Sequence, residues 1–227
     1  MGNFDATMIR DIVIVLVPMI LSLTVHEFAH AWSAHKLGDD TALSQGRMTL
    51  NPLVHIDLFG TILIPIFSVV FGGIGLIGWA KPVPVSPYKF RRTVTMRTGM
   101  MITAIAGPLS NIVLAFLTGG ILVFVASRGL GGAEEGAGLA DKGAMSLNLL
   151  LGRVFLMNIG LAVFNMLPIP PLDGSRLLPQ SWQDKLARFY LVAFFLFIII
   201  INFAGGLLSR PVYFIGGIIV RFWSIFF

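Results

Sequence analysis

Five long runs of apolar residues constrain this chain more than any other feature of its sequence. They cover residues 11–36, 99–127, 146–168, 187–204 and 207–227. A helix that crosses the hydrocarbon core of a bilayer needs about 20 predominantly apolar residues. Only 12% of the chain is charged, against about 25% in an average soluble domain, so the protein cannot cover itself with a polar surface. We therefore predict an all-α polytopic membrane protein with about five to six transmembrane helices.

The stretch 58–79 is also long and apolar, but a proline and several glycines interrupt it. Irregular backbone at membrane depth is tolerated only where protein or a water-filled cavity covers it, which leaves a kinked span or a re-entrant hairpin. Basic residues gather in 36–57, 80–98 and 172–188, whereas acidic residues outnumber them in 128–145. The positive-inside rule places the first three segments in the cytoplasm. Since both flanks of 58–79 then lie on one side, we expect a re-entrant hairpin.

Charge and cysteine content narrow the class of function. The net charge is +5, but the basic residues are scattered through the loops, so they indicate membrane orientation and no nucleic-acid partner. The chain has no cysteine, and any metal must therefore be held by His, Asp or Glu. No cleavable signal peptide is evident. We expect a single integral membrane domain over 1–227, with a catalytic core at about 11–180 and accessory spans at about 187–227.

An H-E-x-x-H motif lies inside the first apolar run, from His26 to His30. Residues four apart on a helix face the same side, so both imidazoles can reach one ion. Glu27 lies close enough to take a proton from a water that zinc has acidified. Chance or a set of hydrogen-bonded core residues is the alternative, but polar groups inside hydrocarbon are costly without a partner. The motif predicts a zinc site with Glu27 as general base.

A third zinc ligand should come from another His, Asp or Glu at the same depth, because catalytic zinc usually keeps three protein ligands and one open position. The best candidate is Asp173, which follows Pro168, Pro170 and Pro171 directly after the third main run. These prolines prevent a regular helix, so the carboxylate can turn into the bundle. Alone, Asp173 could be a solvated loop residue; together with the two histidines, it is the expected ligand.

Three motifs resemble the site-2 protease family of intramembrane zinc metalloproteases. They are HEFAH at 26–30, GPLSN at 107–111 and NMLPIPPLDG at 165–174. The stretches 46–61 and 78–88 resemble the compact prokaryotic branch, and the resemblance covers about 15–180. It implies one zinc ion on His26, His30 and Asp173, with Glu27 as base.

The resemblance also implies that Asn165, and with it Asn111, offers amide hydrogen bonds to the substrate near the scissile peptide bond. For Asn111, bridging between packed helices is an equal alternative. A membrane-dipping strand or hairpin is implied at 40–55 and 58–79, and its edge could pair with an unwound substrate. The implied substrate is a transmembrane protein, cleaved in a prokaryotic inner or plasma membrane with the active site nearer the cytoplasm. Longer relatives carry PDZ or CBS domains, which we do not expect here.

Three other functions are compatible with parts of this pattern. An inactive binding or escort protein would be expected to lose the base or a ligand, yet all four residues are present. A zinc or proton-coupled transporter commonly shows internal repeats, and none is visible. A purely structural zinc site favours four protein ligands, and the sequence offers no convincing fourth.

Overall fold

The computed structural model describes residues 6–71, 78–129, 139–187, 189 and 209–227. In chain order its helices are α1 (Ala6–Lys36), α2 (Thr41–Ser44), α3 (Ile64–Val70), α4 (Met96–Ser127), α5 (Leu139–Asn165), α6 (Gln180–Ala187) and α7 (Ser209–Trp223). Turns of 3₁₀ helix occupy Pro52–Val54, Pro87–Lys89 and Asp173–Leu177, and a π-helix at Leu58–Leu63 continues into α3. All regular secondary structure among the described residues is helical, and these residues contain no strand.

Helices α1, α4 and α5 pack against one another and form the centre of the protein, and α7 packs on α4 and α5. Small residues allow the close approach, as is usual between membrane helices. A Cβ atom on Gly119 of α4 would lie only 2.7 Å from Ile219 of α7 and 2.9 Å from Phe155 of α5. Large apolar side chains at four-residue spacing, such as Val113, Leu117 and Ile121 of α4, point outward. This arrangement buries small residues between the helices and presents large apolar side chains to lipid.

The three central helices match the spans predicted at 11–36, 99–127 and 146–168, and all three are long and apolar enough to cross a membrane. The span predicted at 187–204 lies almost entirely outside the described residues. Within 207–227, α7 has 15 residues, or about 22 Å of helix, which is less than the roughly 30 Å of a hydrocarbon core.

The resemblance implied a membrane-dipping strand or hairpin over 40–55 and 58–79, but no strand forms within 40–55, where α2 and a 3₁₀ turn lie instead. Local side-chain bonds explain the difference. Asp39 Oδ1 accepts a hydrogen bond from the Thr41 amide at 3.0 Å, and Asn51 Oδ1 accepts one from the Leu53 amide at 3.1 Å. Asp and Asn side chains that bond nearby backbone amides in this way compete with sheet pairing and favour turns.

The described ends of 58–79 lie together. The Trp79 amide donates to the Gly60 carbonyl at 3.2 Å, and the Thr61 hydroxyl donates to the Trp79 carbonyl at 2.8 Å. A Cβ atom on Gly60 would lie 2.4 Å from the Trp79 ring, so glycine is needed for this contact. Residues 72–77, between the two ends, lie outside the described part. The chain therefore returns at Trp79 to the position of Gly60 and Thr61, near the start of this segment.

Candidate active site

The two histidines of the H-E-x-x-H motif lie one turn apart on α1 and face α4. Both side chains are buried, and their Nε2 atoms are 3.0 Å apart. Asp173 completes the group, because its Oδ2 lies 3.1 Å from His26 Nε2 and 3.2 Å from His30 Nε2. Three potential ligand atoms thus form a nearly equilateral triangle.

Asp173 reaches the triangle because the chain turns back sharply after α5. That helix ends at Asn165, and the proline-rich stretch leads into the 3₁₀ turn Asp173–Leu177. The turn lies directly on the end of α5, since a Cβ atom on Gly174 would be 2.3 Å from the Met166 carbonyl oxygen. Glycine at this position is therefore required by the close approach. As predicted, prolines that interrupt the helix allow the carboxylate to point into the bundle.

Hydrogen bonds on the far side of each imidazole fix its orientation. His26 Nδ1 lies 2.6 Å from Asn111 Oδ1, and His30 Nδ1 lies 2.7 Å from the Thr103 carbonyl oxygen. The Asn111 amide nitrogen donates to the Ser22 carbonyl at 3.1 Å, so its oxygen is the atom that faces His26. Both Nδ1 atoms therefore carry the proton, and the Nε2 lone pairs face each other. In metal sites, a hydrogen bond from the ring nitrogen that does not bind the metal orients the histidine in this way.

The pKa of Asp173 also favours a ligand role. Burial alone would raise this pKa, but when the imidazoles of His26 and His30 are protonated, their hydrogen bonds and charges outweigh burial and hold it below its ordinary value. The carboxylate is consequently ionised. Two imidazole lone pairs and a carboxylate oxygen that converge at 3.0–3.2 Å repel one another unless a cation lies among them.

This donor set fits zinc. Ligand atoms at about 2.0–2.1 Å in a tetrahedral zinc site lie roughly 3.3 Å from one another, close to the three observed separations. Space for the ion depends on Gly107 of α4, where a Cβ atom would lie 2.4 Å from His30 Nε2 and 2.6 Å from His26 Nε2. No side chain of any size fits beside the triangle. His26, His30 and Asp173 are the residues that would hold the metal.

Glu27 lies beside the histidines and is held by the segment 79–86, which has no regular secondary structure. Its Oε2 accepts a hydrogen bond from the Val83 amide at 2.8 Å. Both neighbours of Val83 are prolines, so this amide is the one donor between Lys81 and Val85. The segment thereby fixes the position of one carboxylate oxygen of the predicted base.

A cavity of about 150 Å³ opens over the triangle. Its walls include Glu27, Val83, Asn165 and Arg176 in addition to the three ligand candidates. Asn165 uses one amide hydrogen on the Leu161 carbonyl of its own helix, at 3.0 Å.

The structure thus brings together five of the six predicted site residues around one cavity: His26, Glu27, His30, Asn165 and Asp173. The sixth, Asn111, is fully buried beneath His26 and is not part of the cavity wall. Its amide nitrogen bonds Ser22 and Asn158, and its oxygen faces His26. Asn111 therefore bridges packed helices, which was the alternative to substrate binding. Both of its amide hydrogens are used, so no donor is left for a substrate.

Four further residues were not predicted to belong to the site, namely Val83, Gly107, Asn158 and Arg176. A polar residue inside a predicted span is itself a signal, and it could have pointed to Asn158. Nothing in the sequence marks the Val83 amide, because every residue except proline has one.

Comparison with known proteins places this sequence in a family. Residues 14–204 match the model of peptidase family M50. The chain is 37% identical over 189 residues to the "Putative zinc metalloprotease YwhC" of Bacillus subtilis, covering 82% of this chain and 78% of that protein. It is 28% identical over 237 residues to the "Putative zinc metalloprotease Rip2" of Mycobacterium tuberculosis, covering 95% and 82% of the two chains. No solved structure matches the chain.

Proposed function

The chain belongs to peptidase family M50 and is an integral membrane metalloprotease of the site-2 protease type, and we propose that it hydrolyses peptide bonds within or near the transmembrane segments of other membrane proteins. The observation that carries this proposal is the triangle of His26, His30 and Asp173 at 3.0–3.2 Å with Glu27 beside it. We propose that these three residues bind one zinc ion per chain.

In the proposed reaction, the protein's own groups position water and substrate. When bound, zinc would acidify a water molecule and polarise the carbonyl of the substrate. Glu27 accepts the proton of the water as the water oxygen adds to the carbonyl carbon. Glu27 then returns that proton to the peptide nitrogen as the C–N bond breaks, which leaves a new carboxyl and a new amino terminus. Asn165, on the cavity wall, offers its remaining amide hydrogen to the substrate backbone.

The membrane topology is part of the proposal. We propose a single domain over 1–227 with five to six spans and a re-entrant segment at 58–79, which the meeting of Gly60 and Trp79 supports. His30 lies six residues before Lys36 at the end of α1, or about 9 Å along the helix. Since Lys36 begins a basic segment, we propose that the active site lies nearer the cytoplasmic face of a prokaryotic inner or plasma membrane.

A substrate in this position is a transmembrane helix whose peptide bonds are hidden in its own hydrogen bonds. It must unwind locally before hydrolysis. The cavity of about 150 Å³ holds a few side-chain or backbone groups and cannot admit an intact helix, whose diameter with side chains is about 10–12 Å. Short, locally extended stretches next to helix ends or helix-breaking residues are therefore the expected cleavage points.

The test uses the purified protein in liposomes with a model single-span substrate. Glu27→Gln should retain stoichiometric zinc and lose hydrolysis, because only the base is removed. His26→Ala should lose zinc and hydrolysis together. His35→Ala is the matched control, since His35 lies on the same helix outside the site, and it should change neither. Hydrolysis by Glu27→Gln at the normal rate would refute the assigned mechanism.

A further inference from the structure

Arg176 is a basic residue on the wall of the active-site cavity. It lies three residues after Asp173 in the same 3₁₀ turn. A 3₁₀ helix has three residues per turn, so side chains at this spacing project from the same side. Accordingly, Arg176 lines the cavity together with Asp173, Glu27 and the two imidazoles. A single turn of backbone thus places a proposed zinc ligand and a basic residue on the wall of one cavity.

Among the residues that the structure describes, no carboxylate lies within 4.0 Å of the guanidinium group of Arg176. Asp173, its neighbour on the turn, directs Oδ2 to the imidazoles instead. A guanidinium group is always protonated, carries five N–H donors and has no lone pair for a metal. Its donors are therefore available to an acceptor that enters the cavity.

We propose that Arg176 is a further catalytic residue, whose guanidinium donates to the carbonyl oxygen of the scissile peptide bond. This inference rests on the proposed function. As the water oxygen bonds to the carbonyl carbon, the electron pair of the C=O π bond moves to that oxygen and its negative charge grows. A fixed cation there binds the transition state more tightly than the neutral peptide. The charge returns to the C=O bond when the C–N bond breaks.

Arg176 suits this task better than Asn165, a neutral donor that also lines the cavity. Asn165 already spends one of its two amide hydrogens on Leu161, and its dipole is weaker than a full charge. Hydrogen bonds from charged donors are about twice as strong as those from neutral ones. Asn165 can then position the substrate backbone while Arg176 stabilises the developing charge.

The test compares Arg176→Gln and Arg176→Lys with the wild type in liposomes at saturating zinc. Removal of one donor to a developing oxyanion typically lowers kcat about 10²- to 10³-fold. We expect such a loss for Arg176→Gln, a smaller loss for Arg176→Lys, and KM values within a few-fold of wild type. Arg92→Gln is the matched control, because Arg92 is an exposed basic residue of another loop. It should retain wild-type kcat.

A binding measurement separates catalysis from a structural role. A peptide phosphinate carries a tetrahedral anionic group like the adduct, so Arg176→Gln should weaken its inhibition in proportion to the loss of kcat/KM. Zinc content and thermal stability should not change. Loss of zinc or stability in step with kcat, unchanged kcat, or a rise in KM alone would each overturn the proposal. If the wild type itself does not cleave the substrate, the proposed function is wrong. If the wild type cleaves and Arg176→Gln has the same kcat, only the inference about Arg176 is wrong.

Discussion

Replacement of Gly107 by alanine tests whether the space beside the two imidazoles is needed for a metal. The added methyl group would lie 2.4 Å from His30 Nε2 and 2.6 Å from His26 Nε2. Ordinary contacts begin at about 3.4 Å, so roughly 1 Å must be gained by movement of α4 or of the rings. The rings cannot simply swing away, because Asn111 and the Thr103 carbonyl hold their Nδ1 atoms at 2.6 and 2.7 Å.

Packing an extra methyl group into a tight interior typically costs about 1–3 kcal/mol. If this cost falls on the metal-bound geometry, the zinc dissociation constant rises about 5- to 150-fold, since each 1.4 kcal/mol or so is a factor of ten. The assay is competition for zinc against a chromophoric chelator, with the protein in detergent. Activity at limiting zinc should fall by a similar factor.

Two other glycines provide matched controls for this substitution. Gly160 of α5 has open space where its Cβ would be, so Gly160→Ala should leave zinc affinity unchanged and raise helix stability slightly. Gly119→Ala on α4 introduces a similar clash, 2.7 Å from Ile219, but far along the helix from the imidazoles. It should lower thermal stability without changing zinc affinity. Wild-type zinc affinity in Gly107→Ala would refute the assignment of the metal to this triangle.

Two further predictions concern the supports of the site. Val83→Pro removes the backbone amide that donates a hydrogen bond to Glu27. We expect kcat to fall about 10- to 100-fold with zinc retained. Val83→Ala, which keeps the amide, should stay near wild type in the same kinetic assay. Asn158→Leu deprives the buried Asn111 amide and Ser22 hydroxyl of a partner. It should destabilise the protein by about 1–3 kcal/mol, measured by denaturant unfolding in detergent micelles; unchanged stability would show that the network carries no net energy.

The three central helices and the facing of His26 and His30 could be predicted because both depend on local sequence periodicity. Apolar runs of sufficient length gave α1, α4 and α5, and the four-residue spacing placed His26 beside His30. Asp173 was predictable because it is the acceptor that follows a helix-breaking run of prolines. In each case the physical cause lies within a few residues of the feature that it determines.

The remaining parts of the site depend on contacts between distant segments, which local patterns do not reveal. Val83 contributes only a backbone amide, 56 residues from Glu27 along the chain. In the sequence, Arg176 is one of many basic residues that orient the protein in the membrane, and only the 3₁₀ turn shows that it faces the cavity. The strand expected at 40–55 is absent for a different reason. Local side-chain hydrogen bonds set the turns of this segment, and the family resemblance does not indicate those bonds.

The central helices and the loops contribute differently to this site, and the difference constrains how its function can change. Ser22, Asn111 and Asn158 join α1, α4 and α5 through buried hydrogen bonds, and the same network ends on His26 Nδ1. Polar groups between membrane helices must find partners, so the bonds that hold the bundle also orient a ligand. Changes there alter folding and metal binding together. Val83 and Arg176 lie on segments outside the spanning helices, and substitutions at these two positions can therefore change catalysis while the bundle and its metal site remain intact.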